Sequence, residues 1–161
     1  MLKYIALFSL LFGALFISRE FSKYQKKRLS EYEGFYALAT YMRTEISCFL
    51  SPVGEWSAGF SDDALEGTGF LSAMRESEDL EKAFLKAAPK MSISEVARED
   101  LLRFCSAFGK VYADEVVRLI DSFREKFSEH IDREREEIPR SQKLVRTLCI
   151  AFAVGASIVL I

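Results

Sequence analysis

Two apolar runs bracket this chain, and they constrain its fold more than any other feature. The first, MLKYIALFSLLFGALFIS, occupies residues 1–18, and the second, LVRTLCIAFAVGASIVLI, residues 144–161. Eighteen helical residues extend about 27 Å, close to the ~30 Å hydrocarbon core of a bilayer. The first run does not read as a cleaved leader. A cleavage site needs small residues at −3 and −1, and Ser18 would pair with Phe16, Ala14 with Phe12. Each run is therefore predicted to be a transmembrane helix, and the competing reading is a pair of buried core helices.

Basic residues gather on the inner flanks of both runs: Arg19, Lys23, Lys26, Lys27 and Arg28 after the first, and Arg140, Lys143 and Arg146 around the start of the second. The positive-inside rule then places residues 19–143 in the cytoplasm. The same eight side chains are candidates for contact with anionic lipid headgroups, each worth about 1 kcal/mol near the surface, or for setting topology alone.

The segment between the runs reads as a helical bundle of about six helices, so the fold class is all-α. From Arg19 to Leu50 there is no proline; Leu29, Tyr32, Tyr36, Ala39, Ile46 and Leu50 recur at helical spacing, interrupted by Arg43, and a parallel stripe through Phe35, Leu38, Met42 and Phe49 widens the apolar face. This first long helix is predicted to leave the membrane directly and to end at Ser51-Pro52. A brief second helix carries Val53, Trp56 and Phe60, with Trp56 a core residue. A third is predicted over Leu65–Arg75. Ser77 is predicted to start a fourth, with Leu80, Ala83, Phe84 and Ala87 inward and Pro89 as its stop. Ser94 caps a fifth, with Val96, Leu101, Phe104, Ala107 and Phe108 facing inward. The last helix starts near Ala113 and buries Val116, Ile120, Phe123, Phe127 and Ile131, and Pro139 is predicted to kink or interrupt it. On antiparallel stalk helices Lys26 and Lys27 would stand level with Glu136 and Glu137.

Chemistry is sparse. A formal net charge of −2 excludes the overall basic field of a nucleic-acid binder. Cys48, Cys105 and Cys149 are scattered, no CxxC pair exists and the single histidine is His130, so neither a metal site nor a cofactor is expected. Each cysteine reads as a small buried hydrophobe. There is no P-loop, no GxGxxG and no nucleophile elbow. His130, beside Glu129 and Asp132, is predicted to be exposed and not catalytic. No enzyme activity is expected. Glu45, a carboxylate between Met42 and Ile46, is the candidate partner-binding residue, either solvated or paired with a basic group.

Several stretches, in order, carry a resemblance across the whole length. TEISCFLSP at 44–52 supplies Thr44, Glu45, Ile46, Leu50 and Pro52, and the short helix with Leu80 and Ala83 follows. DLLRFCSAFG at 100–109 then supplies Leu101, Phe104 and Gly109, before a long charged helix and an apolar end. The chain resembles the stage III sporulation protein AB family. That resemblance implies a non-enzymatic platform subunit of a secretion-like complex linking mother cell and forespore, in the outer forespore membrane and facing the mother cell. It also implies similarity to type II secretion F domains and a secretion-type ATPase partner, stage III sporulation protein AA, beside other membrane subunits. The rival readings are a platform protein of another secretion or pilus system, and a membrane-anchored enzyme with an unrecognised carboxylate site.

Overall fold

The computed structural model describes residues 2–49, 57–77, 79–108, 110 and 113–160; no side chain is described at 2–12, 14–15, 48–49, 113–114, 153–154 or 156–160. The elements in order are α1 (Leu2–Phe49), α2 (Asp63–Thr68), α3 (Phe70–Ser77), α4 (Leu80–Ala87), a 3-10 turn (Ala88–Lys90), α5 (Glu95–Phe108) and α6 (Ala113–Leu160). A helical turn at 57–59 precedes α2. Every regular element among the described residues is helical, as the spacing of apolar residues predicts. The chain divides into two units, one of residues 27–132 and one of residues 1–26 with 133–161.

In the 27–132 unit the middle of the predicted α1 face and the predicted α6 row form the core, while Leu29, Tyr36 and Ile46 are half-buried at its edge and Phe49 and Leu50 lie outside the described side chains. Tyr32, Phe35, Leu38, Ala39 and Met42 of α1 are buried, as are Val116, Ile120, Phe123, Phe127 and Ile131 of α6. Aromatic rings connect the helices edge to face or stacked, the geometries their quadrupoles favour. Phe70 meets Phe35 at 5.2 Å, Phe35 meets Phe127 at 6.0 Å, and Phe123 lies 4.2 Å from both Phe127 and Phe104. One chain of rings thus ties α1, α3, α5 and α6 together.

Local chemistry sets the short helices. Asp62 caps α2, its carboxylate accepting the Leu65 N–H at 3.0 Å. The helix predicted over Leu65–Arg75 is broken at Gly69, which adopts φ +80°. That left-handed conformation cannot continue a right-handed helix, and glycine adopts it without a Cβ clash. Ser77 does not open the next helix but ends α3, its hydroxyl donating back to the Ala73 carbonyl at 2.8 Å. Asp79 caps α4 instead, accepting from the N–H groups of Glu81 and Lys82. Pro89 lies in the 3-10 turn that follows α4, and Ser94 caps α5 by accepting the Ala97 N–H at 3.3 Å. Val96 is 62% exposed, against the inward placement its apolar side chain suggested. The buried face of α5 runs through Ala97, Leu101, Phe104 and Cys105, which puts Val96 a full 100° of helix rotation aside. Of the predicted second helix, Val53 and Trp56 lie outside the described residues, residues 57–59 form the helical turn, and Phe60 is half-buried against the core.

In the other unit, Gln25 of α1 donates to the Ser141 hydroxyl of α6 at 2.5 Å and is 4% exposed. This neutral bond sets the register between the two helices. Of the charges expected to stand level, Lys26, Glu136 and Glu137 are exposed, and no ion pair among the described residues includes them. Lys27 approaches Glu31 of its own helix at 3.7 Å. Pro139 does not interrupt α6, which is continuous from Ala113 to Leu160. Its ring is exposed, and its missing N–H removes a single rung of the ladder, which the turns on either side carry through. Among the described residues, no helix is long and apolar enough to cross a membrane. Of the first predicted span only residues 13 and 16–18 have described side chains, and of the second residues 144–152 and 155.

Candidate functional site

Glu45 lies half-buried near the end of α1, and its carboxylate accepts a hydrogen bond from the Tyr41 hydroxyl one turn earlier. Partial burial, and then the Glu45 charge, hold that hydroxyl above the usual tyrosine range. The Tyr41 ring packs against Phe60 at 5.5 Å. Gly59 makes room for it, since a Cβ there would come within 2.5 Å of the hydroxyl oxygen. Among the described residues the partner of Glu45 is therefore a tyrosine and not a basic group of the bundle.

Two polar clusters that spacing does not reveal tie the helices together. Glu31 is 0% exposed, and one carboxylate oxygen accepts the Ser92 N–H at 2.5 Å. Tyr32, beside it, joins the same segment: its hydroxyl donates to Ser94 Oγ at 3.1 Å and accepts the Ser94 N–H at 3.0 Å. Arg98 donates to the Met91 carbonyl at 2.6 Å. The 91–94 segment is thus held to α1 and to α5 by its own backbone groups, which must be satisfied somewhere once buried.

The second cluster is Asp100, Lys126 and His130. Lys126 donates to Asp100 at 2.9 Å, and His130 Nε2 lies 3.3 Å from the other carboxylate oxygen. Burial pushes the Asp100 carboxyl up, but the hydrogen bonds from Lys126 and His130 outweigh it and hold the group below the usual carboxylate range. His130 is not the exposed residue its acidic neighbours suggested. Its side chain is only 12% exposed and stacks on Tyr32 at 5.7 Å with an 18° interplanar angle. The helical rows explain this: His130 precedes buried Ile131 and follows buried Phe127 by three residues, at the edge of the core face.

An open groove of about 370 Å³ is lined by Tyr36, Arg124, Asp121, Glu125, Glu129 and neighbouring α6 residues. Arg124 is fixed at it, 5.3 Å over the Tyr36 ring, donating to Thr40, Tyr36 and Asp121. Arg43, the residue that interrupts the apolar face of α1, pairs with Asp121 at 2.6 Å.

The predicted headgroup or topology residues are surface residues. Arg19, Lys23, Lys26, Lys27, Arg140, Lys143 and Arg146 are exposed, and Arg28 is half-buried. Lys23 pairs with Glu20 at 2.6 Å. The cysteines divide: Cys105 is buried, Cys149 is half-buried and Cys48 lies outside the described side chains. Burial pushes the Cys105 thiol far up, so it packs as an apolar group and offers no thiolate. Among the described residues, no group of three or more His, Cys, Asp or Glu comes together to hold a metal ion.

Comparison with known proteins gives one match. The model of the family described as stage III sporulation protein AB matches residues 3–161. No curated protein and no solved structure matches. With nearly its whole length covered by that one model, the chain belongs to the stage III sporulation protein AB family.

Proposed function

We propose that this protein is a non-enzymatic scaffold subunit of a secretion-like complex that links mother cell and forespore. Residues 1–18 and 144–161 anchor it in the outer forespore membrane, and the helical segment between them faces the mother-cell cytoplasm. That segment, a counterpart of type II secretion F domains, docks the secretion-type ATPase, stage III sporulation protein AA. The observation that carries this reading is the continuity of α1 and α6. The apolar residues of each terminal run share one helix with residues of the long basic or charged stretch beside them, α1 over Leu2–Phe49 and α6 over Ala113–Leu160, which supports a helical protein held by its two ends. The polar clusters around Glu31 and Asp100 are engaged in joining helices, which supports a holding role.

The test is capture of the purified ATPase by the full-length chain in detergent, beside a thermal melt. Glu45→Lys is expected to lower capture at least tenfold. Glu45→Gln keeps the acceptor for Tyr41 and separates loss of charge from loss of the helix end. Equal capture by wild type and Glu45→Lys would remove Glu45 from the interface, and no capture by wild type would refute docking altogether.

A further inference from the structure

Where α1 and α6 pair in the unit of residues 1–26 and 133–161, their charges follow a different rule from the rest of the molecule. Around the 27–132 core most basic side chains reach a carboxylate, as with Arg43 and Asp121, Arg75 and Glu66, Lys86 and Glu76, and Lys126 and Asp100. In 19–26 and 140–147 the only acidic residue is Glu20, and Lys23 occupies it. Arg19, Lys26, Arg140, Lys143 and Arg146 are all exposed, and among the described residues none of them has an ion-pair partner.

The Gln25–Ser141 bond shows how these charges are stacked. On antiparallel helices it sets Lys26 level with Arg140, Lys23 level with Lys143, and Arg19 within one residue of the level of Arg146. At 1.5 Å per residue the three tiers cover about 10 Å, comparable to a lipid headgroup layer of roughly 5–8 Å. Phe21 and Tyr24 stand at the same heights, 37% and 51% exposed. Exposed aromatic rings among basic side chains are the pattern of a membrane–water interface. Below them, Phe16, Ile17, Leu148 and Phe152 are all more than 60% exposed, an outward apolar surface suited to acyl chains.

We infer that this three-tiered collar binds the headgroups of anionic phospholipids, whose phosphates supply the counter-charge that the stretches 19–26 and 140–147 lack beyond Glu20. The inference rests on the membrane reading above and goes beyond it. An anchor needs only apolar length, and a topology signal needs only a charge bias, whereas the collar selects one lipid class from the bilayer. Both chemistries in reach are used: guanidinium groups form paired hydrogen bonds to phosphate oxygens, and lysines act as point charges. Each basic group near such a surface changes lipid association by up to about fivefold.

The experiment uses the full chain in vesicles of phosphatidylcholine containing spin-labelled phosphatidylglycerol or spin-labelled phosphatidylcholine. The readout is the fraction of each label held motionally restricted by the protein. Wild type is expected to prefer phosphatidylglycerol about fivefold or more, and to lose most of that preference in 0.5 M salt, as screening shortens the reach of the charges. Arg19→Gln with Lys26→Gln, Lys143→Gln and Arg146→Gln should bring the preference to about one, while Arg19→Lys with Arg146→Lys should retain most of it. Millimolar glycerol phosphate should not compete, because a soluble headgroup lacks the bilayer that holds it at the collar. No preference in wild type, or an undiminished one in the fourfold glutamine variant, overturns the collar. Resistance of the same vesicles to alkaline carbonate is scored separately. Protein retained in the membrane without lipid preference refutes the collar and leaves the anchor, and protein washed off refutes both.

Discussion

Phe104 is 5% exposed and stacks on Phe123 at 4.2 Å, inside the chain of rings that joins α5 and α6. Phe104→Ala should therefore cost ~3–5 kcal/mol in urea melts of the full chain in detergent micelles. A loss below about 1 kcal/mol would mean that the ring packs on nothing it needs. Asp100 provides a pH test at the same scale. Its carboxyl is held below the usual range in the folded protein, so the contribution is complete above the unfolded value, about 3.9, and is lost as pH falls through the lower folded one. The stability advantage of wild type over Asp100→Asn should thus be steady near pH 5 and shrink as pH is taken to 2.5. An advantage that grew on acidification would reverse the sign. His130→Ala removes the stack on Tyr32 and a bond to Asp100, and is expected to destabilise the fold measurably, which an exposed histidine would not do.

Gly34 shows how an element can invert a rule. A glycine inside a helix costs roughly 1 kcal/mol relative to alanine, so helix propensity alone favours Gly34→Ala. Here α1 passes against the start of α2. An added Cβ would lie 2.7 Å from the Asp62 carboxylate oxygen that caps α2 and 3.0 Å from buried Leu65. Overpacking of that kind costs ~1–3 kcal/mol, and the collision also threatens the cap. Gly34→Ala should lower the thermal midpoint, whereas Gly67→Ala, with nothing within 4 Å of its Cβ, should not. Equal effects at both positions would show that α1 and α2 do not approach as described. The broken helix at Gly69 belongs here as well. Gly67 and Gly69 look alike in the sequence, yet only Gly69 takes a positive φ, because the chain has to turn there for Phe70, Leu71, Ala73 and Met74 to enter the core.

For the whole molecule the proposed topology makes a direct claim. With Cys48, Cys105 and Cys149 replaced by alanine, a thiol reagent that cannot cross membranes should label Lys3→Cys in intact cells and leave Ser61→Cys unlabelled. Ser61 is exposed in the structure, so protection there would come from the membrane and not from burial. Labelling of Ser61→Cys from outside would overturn the cytoplasmic placement and, with it, any docking of a cytoplasmic ATPase.

The long helices and their buried faces were legible in the sequence alone. Residues three and four apart share a helix face whatever the rest of the chain does, so the rows from Tyr32 to Met42 and from Val116 to Ile131 could be read without a partner. The two apolar runs and the charges beside them are equally local. The tertiary structure decided everything that depends on a group far away in the chain. Glu31 is buried because the Ser92 N–H arrives from 61 residues on, and His130 is enclosed because Tyr32 and Asp100 come to it from α1 and α5. Ser77 and Asp79 are equally good caps by type, and the chain path selected Asp79. Val96 is apolar but lost its place to Ala97, whose small side chain lies on the buried face of α5. Periodicity is carried by the covalent chain itself, whereas a polar partner or a steric limit exists only once distant segments have met.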